Sequence, residues 1–353
     1  MRARAAVVGT AGAAPELVDI DVTEPGPGEV LVRVAATGVC HTDLNWQDGT
    51  FAAGFPVVLG HECAGVVAAV GPGVRRVAPG DHVVLAVTNH CGQCFHCERG
   101  DAVLCTTRYD IPPRLTLDGA TLIQGFGIGG FSELTVVQES AAVPIPKAVP
   151  LGVAAVVGCA VATGLGAVLN VAEVRAGSTV AVFGCGGIGA SVLLGAALAG
   201  AEQIVGIDPN PARRTAAATY GATVAVEPDE GVLRELAPSG YDYVFEASGH
   251  VEAMELAVRM TRWGGTTTLI GAPRPGARFS IDALELVITH RRVLGCNMGN
   301  LRPHVDFDAY FRLYTRGLLD LQALVTRTVP IDDIAGAFQI AAAGEGVRTV
   351  VTF

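Results

Sequence analysis

The stretch Ser178-Thr179-Val180-Ala181-Val182-Phe183, running straight into Gly184-Cys185-Gly186-Gly187-Ile188-Gly189, decides the fold of the second half of this chain. Six apolar-leaning residues read as a buried strand, and the glycine run reads as a tight turn opening a helix, expected over Ala190 to Ala201. In such a turn Gly184 makes the bend, Gly186 lets the backbone approach a pyrophosphate, and Gly189 lets helix and strand pack closely. Phosphate oxygens then meet free amides at the helix N-terminus, where Gly187 and Ile188 also lie. A second strand follows at Gln203 to Ile207 and ends in Asp208, 19 residues past Gly189. An acidic side chain at that place accepts hydrogen bonds from ribose hydroxyls and repels a 2′-phosphate, which predicts NAD rather than NADP. Arg213, five residues on, pulls the other way because it could reach a phosphate. Further strands at Tyr241 to Phe245 and Thr266 to Gly271, with helical stretches between, predict an α/β fold with a doubly wound parallel sheet.

Upstream, Cys91-x2-Cys94-x2-Cys97-x7-Cys105 has the spacing of a closed four-thiolate structural zinc site. A redox or disulfide cluster is the other reading of the same four residues. A second set is scattered: Cys40 in Gly-Val-Cys-His-Thr-Asp, His61 in Gly-His-Glu, and Cys159 in Gly-Cys-Ala. Two thiolates and one imidazole balance Zn²⁺ and leave a fourth position open, as a catalytic zinc requires. On the residues alone a plainer reading stands beside it, with Cys159 a small buried residue and His61 a hydrogen-bonded core histidine.

Six motifs occur in a fixed order: GVCHTD (38–43), GHE (60–62), CGQCFHC (91–97) with Cys105, GCAVATG (158–164), GCGGIG (184–189) and the terminal RTVVTF (348–353). Over essentially its whole length the chain resembles the zinc-dependent alcohol dehydrogenases of the medium-chain dehydrogenase/reductase superfamily. The long segment between Cys105 and Phe131 is more similar to the dimeric liver-type and aryl-alcohol branches than to the shorter tetrameric yeast type. The resemblance implies a GroES-like β-rich catalytic domain over 1–160 carrying both zinc sites, a Rossmann NAD-binding domain over 161–297, and a return to the catalytic domain over 298–353. It implies two zinc ions and NAD, with Cys40, His61 and Cys159 on the catalytic zinc. Thr42 takes the substrate hydroxyl proton, Asp43 orients His61, and Glu62 stands beside the metal as a transient ligand or, on sequence alone, a strand-edge charge. His41 and Arg348 match positions facing the cofactor pyrophosphate, and Thr163 and Ile188 match positions at the nicotinamide. Phe51, Val87 and Phe126 match pocket walls, with Val87 and Gly125 small where aromatics often stand.

Two departures qualify the resemblance. Liver-type members carry a histidine five residues past the first zinc cysteine to pass the proton outward; here that residue is Asn45, which does not titrate near neutral pH. The glutathione-linked formaldehyde branch has an acid just after the first zinc motif, where this chain reads GTFAAGFP (49–56), and a basic residue where Tyr109 stands. The resemblance therefore implies a zinc- and NAD-dependent dehydrogenase of a bulky, aromatic or medium-chain primary alcohol, or an aldehyde reductase in reverse. The alternatives are a nicotinoprotein-like or biosynthetic zinc reductase of an unusual carbonyl or imine, a dehydrogenase of a formaldehyde–thiol adduct, and a non-catalytic zinc protein.

At 353 residues, half of them hydrophobic, the chain is long enough for two cores. A net charge of −10 argues against a nucleic-acid footprint, and the 24 basic residues, of which only Lys147 is a lysine, are not clustered in one stripe. No apolar run reaches membrane-spanning length, and the opening MRARAAVVGT has no secretory pattern, so a cytoplasmic protein with a small-molecule substrate and no membrane partner is expected. The resemblance adds a homodimer, with a tetramer as the variant. The first part reads as short strands, Glu29 to Val34, Ala64 to Val70 and Asp81 to Val87, between Gly and Pro turns. Leu115 to Gly130 shows no clear period and reads as a surface loop at the pocket wall and dimer contacts. Cys63, Cys185 and Cys296 read as buried apolar residues.

Overall fold

The structure is a computed structural model that describes residues 1–51, 54–108 and 110–353. Tyr109 and part of the GTFAAGFP stretch fall outside the described residues. The chain divides into two compact units, Met1–Ala160 with Arg302–Phe353, and Val161–Leu301.

In the first unit the strands are β1 (Arg2–Val8), β2 (Glu16–Val22), β3 (Glu29–Gly38), β4 (Val57–Val58), β5 (Glu62–Val70), β6 (His82–Leu85), β7 (Leu115–Leu117), β8 (Ala120–Gln124), β9 (Leu134–Gln138) and β10 (Ala142–Pro144). Strands β1, β2, β7, β8 and β4 close into a small barrel. Because side chains alternate faces along a strand, β1 serves two cores at once. Ala3, Ala5 and Val7 join Ile20, Val22, Leu115 and Leu122, whereas Ala6 and Val8 join Trp46, Leu59 and Phe131. The same alternation sends Val30, Val32 and Val34 of β3 into a third core with Cys63, Val83 and Leu85.

Leu115 to Gly130 is not a surface loop. Strands β7 and β8 form an antiparallel hairpin in the barrel, with Leu115 and Leu122 fully buried. Its turn is Asp118-Gly119, both at positive φ (50° and 81°), the two-residue turn whose twist matches paired strands.

The second unit holds β11 (Thr179–Phe183), β12 (Gln203–Ile207), β13 (Val224–Val226), β14 (Tyr241–Glu246), β15 (Thr261–Leu269) and β16 (Arg292–Gly295). All pair in parallel in the order β13-β12-β11-β14-β15-β16, the 3-2-1-4-5-6 sequence of a doubly wound dinucleotide-binding sheet. Strands covered on both faces read as unbroken apolar runs, and Val180, Ala181 and Val182 are wholly buried. The helix after β11 spans Gly187–Leu198, starting inside the glycine run rather than after it.

The chain leaves this unit at Leu301 rather than at residue 297. The turn Met298–Asn300 is held back by Asn170 Nδ2, which donates to Gly299 O at 3.2 Å. Gly299 packs so tightly on Gly166 that a Cβ would lie 2.8 Å from the Gly166 Cα. After it, β17 (Val325–Pro330) and β18 (Arg348–Thr352) pair in parallel, and β18 adds to the end of β3. This completes an open sheet ordered β10-β6-β5-β3-β18-β17, with β9 also on β3. No single helix among the described residues is long and apolar enough to cross a membrane.

Phe245 sits fully buried near the C-terminal end of β14, with β11 and β15 on either side. Phe245→Ala is expected to cost about 3–5 kcal/mol through lost burial and a residual cavity. A lowered denaturant midpoint for the second unit, read by hydrogen-exchange protection of β11 and β14, checks it; an unchanged midpoint would contradict the packing described.

Candidate active site

Two residues past the end of β3 at Gly38 comes Cys40, which is extended (φ −106°, ψ 152°) and caps the helix His41–Gln47. Asp43, in the first turn of that helix, is completely buried. Its Oδ2 accepts from Cys40 N at 3.0 Å, and its Oδ1 accepts from Gly60 N at 3.1 Å and lies 3.0 Å from His61 Nδ1. One carboxylate thus ties the helix start to the loop that presents the imidazole. Gly60 has φ +89°, and a Cβ there would lie 2.7 Å from Phe131 N, so only glycine makes this bend.

Cys159 arrives from the short helix Leu151–Ala155 and the turn Val156–Gly158. A Cβ on Gly158 would lie 2.5 Å from Leu85 O and 3.5 Å from His61 O, so the bare backbone is what brings the thiol alongside β6 and the histidine. The result gathers Cys40, His61, Cys159 and also Glu62, all buried, with ligand atoms within 4.8 Å of one another. This donor set suits a zinc with three protein ligands and an exchangeable position. Hydrogen bonding from Cys159 holds the Cys40 thiol well below its usual range, while that bond and burial push Cys159 up. Burial opposes a charged imidazole at His61, but Asp43 and Cys40 outweigh it and raise the pKa.

Glu62 is no strand-edge charge: it is wholly buried, and burial pushes its carboxyl up to about 7 despite a nearby cation. That cation is Arg348, with Nη2 2.9 Å from Glu62 Oε1 and 3.8 Å from Cys40 Sγ. The pairing of β18 with β3, Val350 opposite Gly38, sets Arg348 there. The resemblance implies a pyrophosphate contact for this arginine; within the first unit the residue is buried and its guanidinium faces Glu62 and Cys40. Thr42 Oγ1 lies 3.6 Å from Cys40 Sγ, and His41 is exposed.

Cys91, Cys94, Cys97 and Cys105 form the other cluster, also with ligand atoms within 4.8 Å of one another. The Cys94–Cys97 and Cys91–Cys105 sulfurs stand 3.5 and 3.7 Å apart. Sulfurs bonded to a tetrahedral zinc at about 2.3 Å stand about 3.8 Å apart, so the spacing fits a four-thiolate ion and is far too long for disulfides. Cys63 and Cys185 are buried and pushed up to about 12, as inert apolar thiols; Cys296 is only half-buried.

Beside His61 lies Phe126, ring centroids 4.6 Å apart, itself edge-on to Trp46 at 4.9 Å. Both aromatics line a cavity of about 490 Å³ with Phe51, Ile111, Pro112 and Pro113, and the strand β8 and Gly127 complete its lining. Phe51 and Phe126 are where the sequence reading put a pocket wall. Val87, buried two residues past the end of β6, is not in this lining. Trp46 and the Ile111–Pro113 segment went unread in the sequence. Trp46 had a signal, lying three residues after Asp43 on the same buried helix face; the proline segment had none.

In the second unit Gly184 has φ +85°, and a Cβ on Gly189 would strike Gly184 O, so the loop needs both glycines. The first amides of Gly187–Leu198 have no partner within the helix, which suits a pyrophosphate. Asp208, 2% exposed at the end of β12, accepts from Cys185 N and Asn210 N, each at 2.8 Å. Arg213 Nη1 stands 3.8 Å from Asp208 Oδ2. Thr163 is buried with its hydroxyl on Met298 Sδ at 3.6 Å, and Ile188 is half-buried.

Comparison with known proteins agrees with this architecture. Residues 26–147 match the alcohol dehydrogenase GroES-like domain family and residues 187–316 the zinc-binding dehydrogenase family. The chain is 37% identical to S-(hydroxymethyl)glutathione dehydrogenase of Paracoccus denitrificans, over all of both chains. An alcohol dehydrogenase zinc-binding domain protein from Burkholderia ambifaria superposes with a TM-score of 0.96 at 32% identity, covering 100% of this chain and 99% of that one. Benzyl alcohol dehydrogenase from Acinetobacter calcoaceticus gives 0.95 at 29% identity, with the same coverage.

Asp43→Asn keeps the shape but removes one acceptor oxygen and the charge that orients His61. Metal affinity at the Cys40–His61–Cys159 set is expected to fall about 10–100-fold, with the four-cysteine set unaffected. Competition with a chromophoric chelator reads both sites; equal loss at the two, or none, would contradict this.

Proposed function

The chain belongs to the medium-chain dehydrogenase/reductase superfamily as an NAD-dependent, zinc-binding oxidoreductase, and on that footing we propose that it oxidises the hydroxymethyl carbon of a formaldehyde–thiol adduct. The reaction is R–S–CH2–OH + NAD⁺ → R–S–CHO + NADH + H⁺. The observation that carries it is end-to-end identity with an enzyme whose name specifies such an adduct. This shifts the emphasis of the sequence reading, which put a simple alcohol first.

A zinc held by Cys40, His61 and Cys159 would supply Lewis acidity to the substrate oxygen. Asp43 fixes His61 through Nδ1 and so leaves the other ring nitrogen for the metal. The Thr42 hydroxyl, able to accept and donate, takes the substrate proton. Arg348, buried with them, offsets the negative charge of Cys40 and Glu62. The loop Gly184–Gly189 would hold the pyrophosphate of the cofactor, and Asp208 the adenosine ribose. Cys91, Cys94, Cys97 and Cys105 would hold a second zinc that fastens their loop, apart from turnover.

The pocket limits the choice of thiol. Among the described residues its lining carries no charged side chain to pair with the carboxylates of glutathione, so R is a less charged carrier. The same apolar, aromatic lining favours a second reading, oxidation of a benzylic primary alcohol, in line with the structural likeness to benzyl alcohol dehydrogenase. NADH formation decides: formaldehyde with a panel of thiols is expected to exceed benzyl and cinnamyl alcohols in kcat/KM. Turnover of the alcohols with no gain from any thiol establishes the second reading, and turnover of neither ends both.

Cofactor choice is tested at Asp208. Losing its charge-assisted bonds to a ribose diol is worth roughly 2–4 kcal/mol, so Asp208→Gly is expected to weaken NAD about 30-fold or more. It also raises relative use of NADP, with Arg213 as the phosphate partner. A wild type that prefers NADP, or a variant of unchanged preference, contradicts the assignment.

A further inference from the structure

Beside the glycine turn of the second unit stands a buried carboxylate with no part in the chemistry described so far. Glu246 ends β14 and is fully buried. It lies opposite Phe183, the last residue of β11, at the edge of the sheet where the turn Gly184–Gly189 begins. Strand β11 has β12 on one side and β14 on the other, and sheets of this order take ligands outside the carboxyl ends at that point. The Glu246 carboxylate serves the loop that follows it. Its Oε1 accepts from Ser248 N at 2.7 Å, from Gly249 N at 3.0 Å and from the Ser248 hydroxyl. Its Oε2 adds one longer bond from Gly249 N, at 3.2 Å. Among the described residues these two amides have no other acceptor, so one side chain sets the path of the loop. Burial pushes the Glu246 carboxyl up, against the bonds from Ser248 and Gly249 that hold it down.

That loop packs on the first residue of the glycine turn. A Cβ at Gly184 would lie 3.0 Å from Ser248 N and 3.2 Å from Ala247 C, and Ala247 N donates to Phe183 O at 2.8 Å. On the other side Asp208 accepts from Cys185 N at 2.8 Å, and Gly184 N donates to Ile207 O at 2.8 Å. The turn is thus braced from both neighbouring strands by one buried carboxylate each, directly by Asp208 and through the Ala247–Gly249 loop by Glu246.

We propose that Glu246 is a positioning residue for NAD: by holding the Ala247–Gly249 loop against Gly184, it keeps the glycine turn in the shape that receives the pyrophosphate. This rests on reading Gly184–Gly189 as the pyrophosphate seat. The property that counts is the reach of the carboxylate and not its charge, since a negative group beside a seat for phosphates repels them.

Two substitutions in the full-length protein separate reach from charge. Glu246→Asp keeps the charge and draws the oxygens back by one methylene; Glu246→Gln keeps the reach and an acceptor oxygen and drops the charge. NADH is titrated by its own fluorescence, and hydrogen exchange at the Ser248 and Gly249 amides is followed with no cofactor present. Glu246→Asp is expected to weaken NADH roughly tenfold or more and to speed exchange at both amides, as the loss of bonds to a charged acceptor implies. Glu246→Gln is expected to recover NADH affinity to within about threefold of wild type, because one oxygen makes most of the bonds. A merely structural group would lower affinity in both variants or in neither. The wild type supplies a reading that needs no variant, should Glu246→Asp not fold: both amides are expected to be protected before NADH is added, and free exchange there overturns the proposal. Unchanged NADH affinity in Glu246→Asp also overturns it, as does a glutamine variant as weak as the aspartate. A wild type that binds no NADH sinks the pyrophosphate reading and the proposal with it; NADH binding that is indifferent to Glu246 sinks the proposal alone.

Discussion

The Asp43 carboxylate, buried to zero exposure, accepts from the Cys40 and Gly60 amides and faces the His61 ring. A carboxylate is an acceptor with room for several donors, and no neutral side chain of that size could serve all three. The Cys40 amide fixes where the helix begins and so where the first thiolate points. Gly60 fixes the bend that presents His61, and the ring contact fixes which nitrogen is left for the metal. Cys159 then needs only the backbone approach that Gly158 permits. The site is thus assembled from three distant segments by one charged group, whose desolvation is offset because its bonds are made.

Charge at this centre is concentrated rather than neutralised pair by pair. Cys40, Glu62 and Arg348 share one buried volume, and the arginine is held there by β18 adding to β3. Removing one member would leave another unpaired in low dielectric, which makes such a group costly to break piecemeal. The cavity beside it is built the opposite way, from Trp46, Phe51, Phe126, Ile111 and two prolines. On the function proposed above, the polar end would meet a hydroxymethyl group and the apolar lining a largely uncharged body, a division common to a thiol adduct and a benzylic alcohol.

Legibility varied with the range of the interaction. The glycine run at 184–189 and the spaced cysteines at 91–105 are local devices, and their chemistry could be read from consecutive residues. The helix began three residues earlier than expected because the glycines supply its first turn. The β7–β8 hairpin was passed over although Asp118-Gly119 announces a two-residue turn, since the Gly-rich text around it masked the alternation of Leu115 and Leu122. The return to the first unit was placed early because nothing in the text of 298–301 shows Gly299 seated on Gly166.

What the sequence determined by itself was the parallel dinucleotide sheet, the closed four-thiolate spacing and the glycines that positive φ demands, because each depends on residues within about one turn or one loop of each other. The tertiary structure alone decided that Cys40, His61 and Cys159 meet and that Arg348 turns toward Glu62. Those outcomes depend on strands adjacent in space but tens to hundreds of residues apart in the chain, and such pairing leaves no periodic mark on the text that encodes it.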